Sequence, residues 1–142
     1  MSYTDMAQCP EIQGQWEPKV GDNCCATERT HNNDVDESCV VQEVSKTQGI
    51  ISLSLLGLNN KESAAWFYPK ENIWLPRLED LMEMYRGIGG VNDYSILFDL
   101  CMYIKETATE EDLKASAKEW LLRLYMFARH DKVWEQEEWI EA

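Results

Sequence analysis

The strongest constraint on this chain is a change of hydrophobic period at Trp74-Leu75-Pro76. Before it, β-branched and aliphatic residues come in short runs with partial alternation, the habit of strands half-buried in a sheet. After it, apolar residues recur at three and four residue spacing, the habit of amphipathic helices. Strand signals that precede helix signals, instead of alternating with them, point to an α+β fold and away from a parallel βαβ sheet.

In the first half, residues 1–18 carry Pro10, Gly14 and Pro18 among polar residues and read as a flexible leader in which only Trp16 is suited to docking. Lys19-Val20-Gly21-Asp22 looks like the entry to a first strand. Residues 30–37 form a polar, acidic loop rich in turn formers. Residues 38–44 and 49–56 have strand composition and read as an antiparallel hairpin with its turn at 45–48. Ala65-Trp66-Phe67-Tyr68 gives a further short strand. Residues 19–75 are therefore expected to form a small antiparallel sheet or open β-barrel of three to five strands.

Pro76 suits the first turn of a helix, where its missing N–H leaves no bond unmade, and Leu78, Leu81, Met82 and Tyr85 follow at helical spacing. Gly87-Ile88-Gly89-Gly90 ends that helix. A second begins with Asn92 or Asp93 as cap, and Tyr94, Leu97, Phe98, Cys101 and Ile104 or Lys105 define its inward stripe. For the third, Thr109 is the expected cap, with Glu110, Glu111 and Asp112 in the first turn where negative charge complements the helix dipole. Leu113, Ala117, Trp120, Leu121, Leu124 and Ala128 then share a face, with Lys114, Lys118 and Arg123 directed elsewhere. Lys132-Val133-Trp134 and Trp139-Ile140 flank Glu135-Gln136-Glu137-Glu138 as a terminal hairpin or tail with acids at its turn. Residues 76–142 thus read as three helices and a hairpin packed on the β module in one folded unit.

Twenty-six Asp and Glu against thirteen Lys and Arg give a net charge of -13, yet six Trp and the periodic segments rule out a disordered acidic tail. The excess is spread along the chain, with eleven acids and five bases in residues 1–76 and fifteen and eight in 77–142. Such a field repels phosphate backbones, so a basic protein surface is the expected partner and nucleic acid is not. Five cysteines, an odd number with one adjacent pair, fit a reducing compartment better than a disulfide framework. The N-terminus lacks a signal peptide's pattern, and no run approaches the ~20 apolar residues of a membrane span. A soluble, cytoplasmic protein is expected.

Residue types with catalytic or metal-binding potential are present without the patterns that would use them. Cys24, Cys25, His31 and Cys39 are suitable zinc ligands, but their spacing lacks the close pairs of zinc sites, and adjacent strand residues face opposite ways. No nucleophile turn surrounds any cysteine near His31 or His130, and Cys101 reads as a core residue. The Gly87–Gly90 run follows a helix and lacks the Gly-Lys-Ser/Thr ending of a phosphate loop. Carboxylate pairs sit in polar runs that give no reason for shifted acidity. The expectation is a protein that is not an enzyme and holds no cofactor or metal.

The acids have a collective reading instead. Asp34, Asp36 and Glu37 on the loop, Glu110, Glu111 and Asp112 at the third helix, and Glu135, Glu137 and Glu138 at the end can offer carboxylates to a basic groove as a phosphate backbone would. Trp66, Trp74 and Trp120 fall in apolar settings and read as core. Trp16, Trp134 and Trp139 lie among charges and are the better interface residues, the last two beside the final acidic run.

Trp74-Leu75-Pro76-Arg77-Leu78 followed by Leu81, then Trp120-Leu121, then Lys132-Val133-Trp134 with Trp139 together resemble the layout of a group of small phage and prophage proteins. In that group a short β module, entered through a stretch like Lys19-Val20-Gly21-Asp22, precedes the helices. This chain differs in its long acidic loop and in carrying residues 135–138 where the group has an Asp-Gly type of turn. What the resemblance implies is a bacteriophage or mobile-element origin, and with it an acidic inhibitor of the anti-CRISPR type. Such a nucleic-acid mimic would occupy the nucleic-acid channel of a host defence effector such as a CRISPR nuclease. The alternatives are a self-associating structural or accessory phage protein, and a small metal-dependent module or enzyme.

Overall fold

The computed structural model describes residues 3–26, 39–57, 66–89, 93–110 and 112–142. Asp34, Asp36, Glu37, His31 and Glu111 lie outside the described residues. The protein is mixed α and β, with four strands in one antiparallel sheet, two in another, and helices. The chain divides into two compact units, Ala7–Leu75 on one side and Met1–Met6 with Pro76–Ala142 on the other.

The expected flexible leader is instead helical. Helix α1 spans Tyr3–Ala7 and α2 spans Pro10–Gln13, with Met6, Ala7, Cys9 and Ile12 all buried. Pro10 punctuates that stretch without loosening it, because it occupies the first turn of α2 where no backbone bond is lost.

Strands β1 (Asn23–Ala26), β2 (Cys39–Thr47), β3 (Ile50–Gly57) and β4 (Asn72–Trp74) form a curled antiparallel half-barrel in the order β3-β2-β1-β4. The β2–β3 turn is later and tighter than expected. Thr47 pairs with Ile50, and Gln48 (φ 53°) and Gly49 (φ 78°) make a two-residue loop of the kind that needs positive φ at both positions. Alternation along β2 is only partial because the register slips at Gln42: Val41 pairs with Leu55, and Glu43 with Ser54. This one-residue bulge changes the inward phase, so that Cys39 and Val41 before it and Val44 after it all reach the cluster with Cys24, Leu53 and Leu55.

The strand expected at 65–68 reduces to one bridge, Phe67 with Leu53, closed by N–H to O distances of 2.7 and 2.9 Å. Trp66, expected in the core, is 49% exposed, while Phe67 turns towards the cluster. The fourth strand is β4, wholly buried, after a 3-10 turn at Pro69–Glu71. β4 is the edge of the sheet, and Gln13 covers it: its Oε1 accepts the Trp74 N–H (2.8 Å) and its Nε2 donates to the Trp74 carbonyl (3.0 Å). The side-chain amide thus answers an edge residue as a neighbouring strand would, removing a template for unwanted pairing. Trp16 lies parallel to Trp74, ring centroids 6.4 Å apart, and its indole N–H donates to the buried carboxylate of Asp22 (3.0 Å), which also accepts from the Lys19 N–H (3.0 Å).

The second unit contains α3 (Leu78–Arg86), α4 (Asp93–Thr107), α5 (Ala117–His130) and the hairpin of β5 (Lys132–Glu135) and β6 (Glu138–Glu141). Asp80 accepts the Arg77 N–H (2.9 Å) where α3 begins. Tyr3 donates its hydroxyl to the carbonyl of buried Pro76 (2.8 Å) beneath the Lys118 ammonium, 4.2 Å from its ring. α5 is the central element: every residue of 120–126 is buried, Arg123 included, so this stretch has no polar face for Arg123 to occupy. Ala128, expected on the buried face, is exposed.

The inward side of α4 is Ile96 with Asp99, Leu100 and Tyr103, held by the Tyr85 hydroxyl donating to Asp99 (2.8 Å). Leu97 (56%) and Phe98 (66%) are exposed, as is Cys101. Apolar residues surround much of α4, so periodicity alone selects no face. Before α5, Asp112–Lys114 makes a separate 3-10 turn, and Ser116 caps the helix by accepting the Glu119 N–H (3.2 Å).

Candidate functional site

α5 ends at Asp131, whose left-handed backbone (φ 53°, ψ 41°) turns the chain directly into β5. The hairpin pairs Lys132 with Glu141, Val133 with Ile140, Trp134 with Trp139 and Glu135 with Glu138, and the Ala142 N–H to Asp131 carbonyl bond (2.8 Å) closes its open end. An isolated two-stranded hairpin is marginal in water. Here Trp134 and Trp139 meet edge to face at 5.0 Å, and the Trp139 indole N–H donates to the Met6 carbonyl (2.8 Å).

The far end of the hairpin is built against local preference. Its two-residue loop is Gln136 (φ 50°) and Glu137 (φ 65°), both in the left-handed region that favours glycine and asparagine. Glu135 and Glu138, directly opposed, bring like charges together beside a third carboxylate on Glu137. Violations of local rules cluster where a surface serves something other than folding.

An open cleft of about 680 Å3 runs from this end to α4 and α5. Tyr103, Trp120 and Trp134 give it aromatic walls; Glu135, Gln136 and Glu137 supply polar groups from the hairpin; Thr107, Thr109, Asp112 and Arg123 complete the opposite side with Val133. Tyr103 stands edge-on to Trp120 at 6.1 Å. Burial pushes its phenol up, partly offset by the positive charge of Arg123.

Arg123 and Asp112 fix the floor. Arg123 is 6% exposed, stacks its guanidinium over Trp120 at 4.8 Å, and donates through one terminal nitrogen to Asp112 Oδ1 (3.1 Å). Asp112 Oδ2 accepts from the Thr109 N–H (3.2 Å) and hydroxyl (2.9 Å). Burial acts to raise the Asp112 carboxyl, but the Thr109 and Arg123 bonds outweigh it and hold the group below its ordinary value. The Arg123 Nε–H is buried in this wall without an acceptor among the described residues.

Of the residues singled out from sequence, Asp112, Trp134, Glu135 and Glu137 line this one cleft. Glu110 is exposed just before Asp112, Glu138 is exposed across from Glu135, and Trp139 backs Trp134; none of the three lines it. Asp34, Asp36, Glu37 and Glu111 lie outside the described residues. Sequence reasoning missed Arg123, Tyr103 and Trp120 as wall residues. A signal existed for two of them: Trp120 and Arg123 are three apart on a helix, so a cation inside the most apolar run is placed to stack on the ring.

Among the described lining residues there is no Cys, His or Lys, and among the described residues no three His, Cys, Asp or Glu side chains gather as metal ligands. Cys24 and Cys39 face each other across β1 and β2 in the buried cluster. Among the described residues no helix is long and apolar enough to cross a membrane. The cleft can stack a planar group and neutralise positive charge. Comparison with family models, with curated proteins and with solved structures returns no match.

Proposed function

We infer that this is a non-enzymatic interaction protein whose acidic hairpin end and cleft engage the basic, nucleic-acid-binding surface of another protein and block it. The observation that carries this reading is the convergence of Glu135 and Glu137 with Trp134 on one cleft, in a chain of net charge -13. Long-range attraction from such a field speeds encounter and makes binding salt-dependent, while aromatic residues at the centre hold the complex. Following the resemblance to phage proteins, the partner is a host defence effector such as a CRISPR nuclease, whose nucleic-acid channel offers the complementary charge.

The test is retention of proteins from bacterial lysate at low and high salt by the wild-type chain and by a Glu135→Gln/Glu137→Gln/Glu138→Gln variant. A basic nucleic-acid enzyme held by the wild type, released by salt and lost by the variant is the expected result. Equal retention by both chains, or retention indifferent to salt, removes the reading.

A second reading, self-association as a structural or accessory protein, is favoured by exposed Leu97, Phe98, Cys101 and Met102 along α4. Light scattering distinguishes it: a defined oligomer at micromolar concentration that Phe98→Glu dissolves supports self-association, and a monomer at all concentrations dismisses it.

A further inference from the structure

The cleft has one feature that general acidity does not account for. A bare cluster of carboxylates would attract any cation, but here the Asp112 carboxylate is already committed, to Arg123 by one oxygen and to Thr109 by the other. The unspent negative charge is therefore carried by Glu135 and Glu137 at the exposed hairpin end, and the space beside them is bounded by aromatic rings. The cleft thus combines a demand for positive charge with flat apolar walls.

We propose that the cleft is a receptor for an arginine side chain on an extended loop of the partner protein. It rests on the reading of the protein as a binder of basic surfaces and names what that surface inserts. A guanidinium is planar, weakly hydrated and able to fork onto carboxylates, so it stacks against the aromatic wall while bonding the hairpin carboxylates; a lysine ammonium offers a point charge without the flat face. Arg123 already rests over Trp120 at 4.8 Å in the same cleft, the same contact made within the chain. A guanidinium satisfies both demands together; a lone metal ion or polyamine satisfies only the first. The left-handed backbone at Gln136 and Glu137 sets the Glu137 carboxylate at the cleft's edge.

The probe is the acetylated, amidated tripeptide Gly-Arg-Gly, titrated into the full chain and followed by tryptophan fluorescence and by indole N–H resonances. Lysine, citrulline and glutamate replace the arginine in three control peptides. The arginine peptide is expected to saturate, the lysine peptide to bind about fivefold more weakly, and the citrulline peptide about tenfold or more, since it keeps the plane and loses the charge. Glu135→Gln and Glu137→Gln should each weaken the arginine peptide about fivefold, whereas substitution of exposed Glu83 on α3, Glu83→Gln, should leave it unchanged. Failure of the arginine peptide to saturate at millimolar concentration overturns the proposal. So does unaltered binding by both hairpin variants, or saturation by the glutamate peptide, which would assign the cleft to an anion on Arg123. Peptide binding without any basic protein retained from lysate keeps the receptor and removes the blockade reading; retention without peptide binding removes the receptor alone.

Discussion

Replacing Glu137 by glycine should strengthen the fold while weakening the surface that the hairpin presents. Glu137 sits at φ 65° in the second position of a two-residue loop, and a non-glycine residue there incurs about 1–2 kcal/mol from Cβ crowding. Glycine removes that term but adds about 0.5–1 kcal/mol of backbone entropy in the unfolded chain. It also removes one of the carboxylates crowding Glu135 and Glu138, a gain of about 0.3 kcal/mol at this exposure. The net expectation is stabilisation by about 1 kcal/mol, or roughly 2–4 °C in melting temperature. Glu137→Ala is the control, since it removes the same charge and keeps the Cβ; urea unfolding should place glycine above alanine by about 1 kcal/mol. Binding to the arginine peptide should fall for both by a similar factor, because both lose the carboxylate. If glycine is no more stable than alanine, the strain assigned to this turn is absent and the reasoning from it fails.

Three further outcomes follow from the packing. Asp112→Asn strips the charge partner from Arg123; the buried-pair penalty, reduced because Asp112 is 26% exposed, comes to about 2 kcal/mol in urea unfolding, and adding Arg123→Met should recover most of it. Since the Asp112 carboxyl is held below its ordinary 3.8, its contribution is full above that pH and is lost as pH falls through the lower folded value, so the gap between wild type and Asp112→Asn should close in acid. Tyr85 is pushed up to about 12 by burial and by its bond to Asp99; its contribution holds below pH 10.0 and disappears between there and about 12. Tyr85→Phe should therefore be about 1 kcal/mol less stable at neutral pH, with the difference vanishing in that alkaline window. Gln13→Leu leaves the Trp74 N–H and carbonyl unanswered at the sheet edge and should lower stability by about 2 kcal/mol, with aggregation rising on thermal unfolding.

What sequence revealed depended on whether a signal was local. The α+β order rests on period and the terminal hairpin on two apolar runs flanking a polar one, and both are present. The phase of β2 escaped because a bulge at Gln42 is decided by which neighbours fit, not by any residue type at that place. The face of α4 escaped because its apolar residues nearly encircle it, and the choice is made by Asp99 meeting Tyr85 fourteen residues away. Thr109 has a capping residue's chemistry, yet Asp112 uses that hydroxyl as a donor and Ser116 takes the cap. In the cleft, Trp134, Glu135 and Glu137 were legible as a charged aromatic run. Arg123 was not, since a cation in an apolar helix is ordinarily assigned to the surface.

The bond from Trp139 to the Met6 carbonyl joins residues 133 apart in sequence, and the whole unit Ala7–Leu75 is looped out between Met6 and Pro76. The two units therefore have different timetables during synthesis. The sheet has every strand it needs once Trp74 has emerged. The unit bearing the cleft must wait for β6, and at roughly 5–20 residues per second the lag is several seconds. Until then α1 lacks the indole that holds it, and the residues that line the cleft are scattered along an unfinished chain. A nascent copy thus carries most of its charge before it has a cleft to concentrate it in.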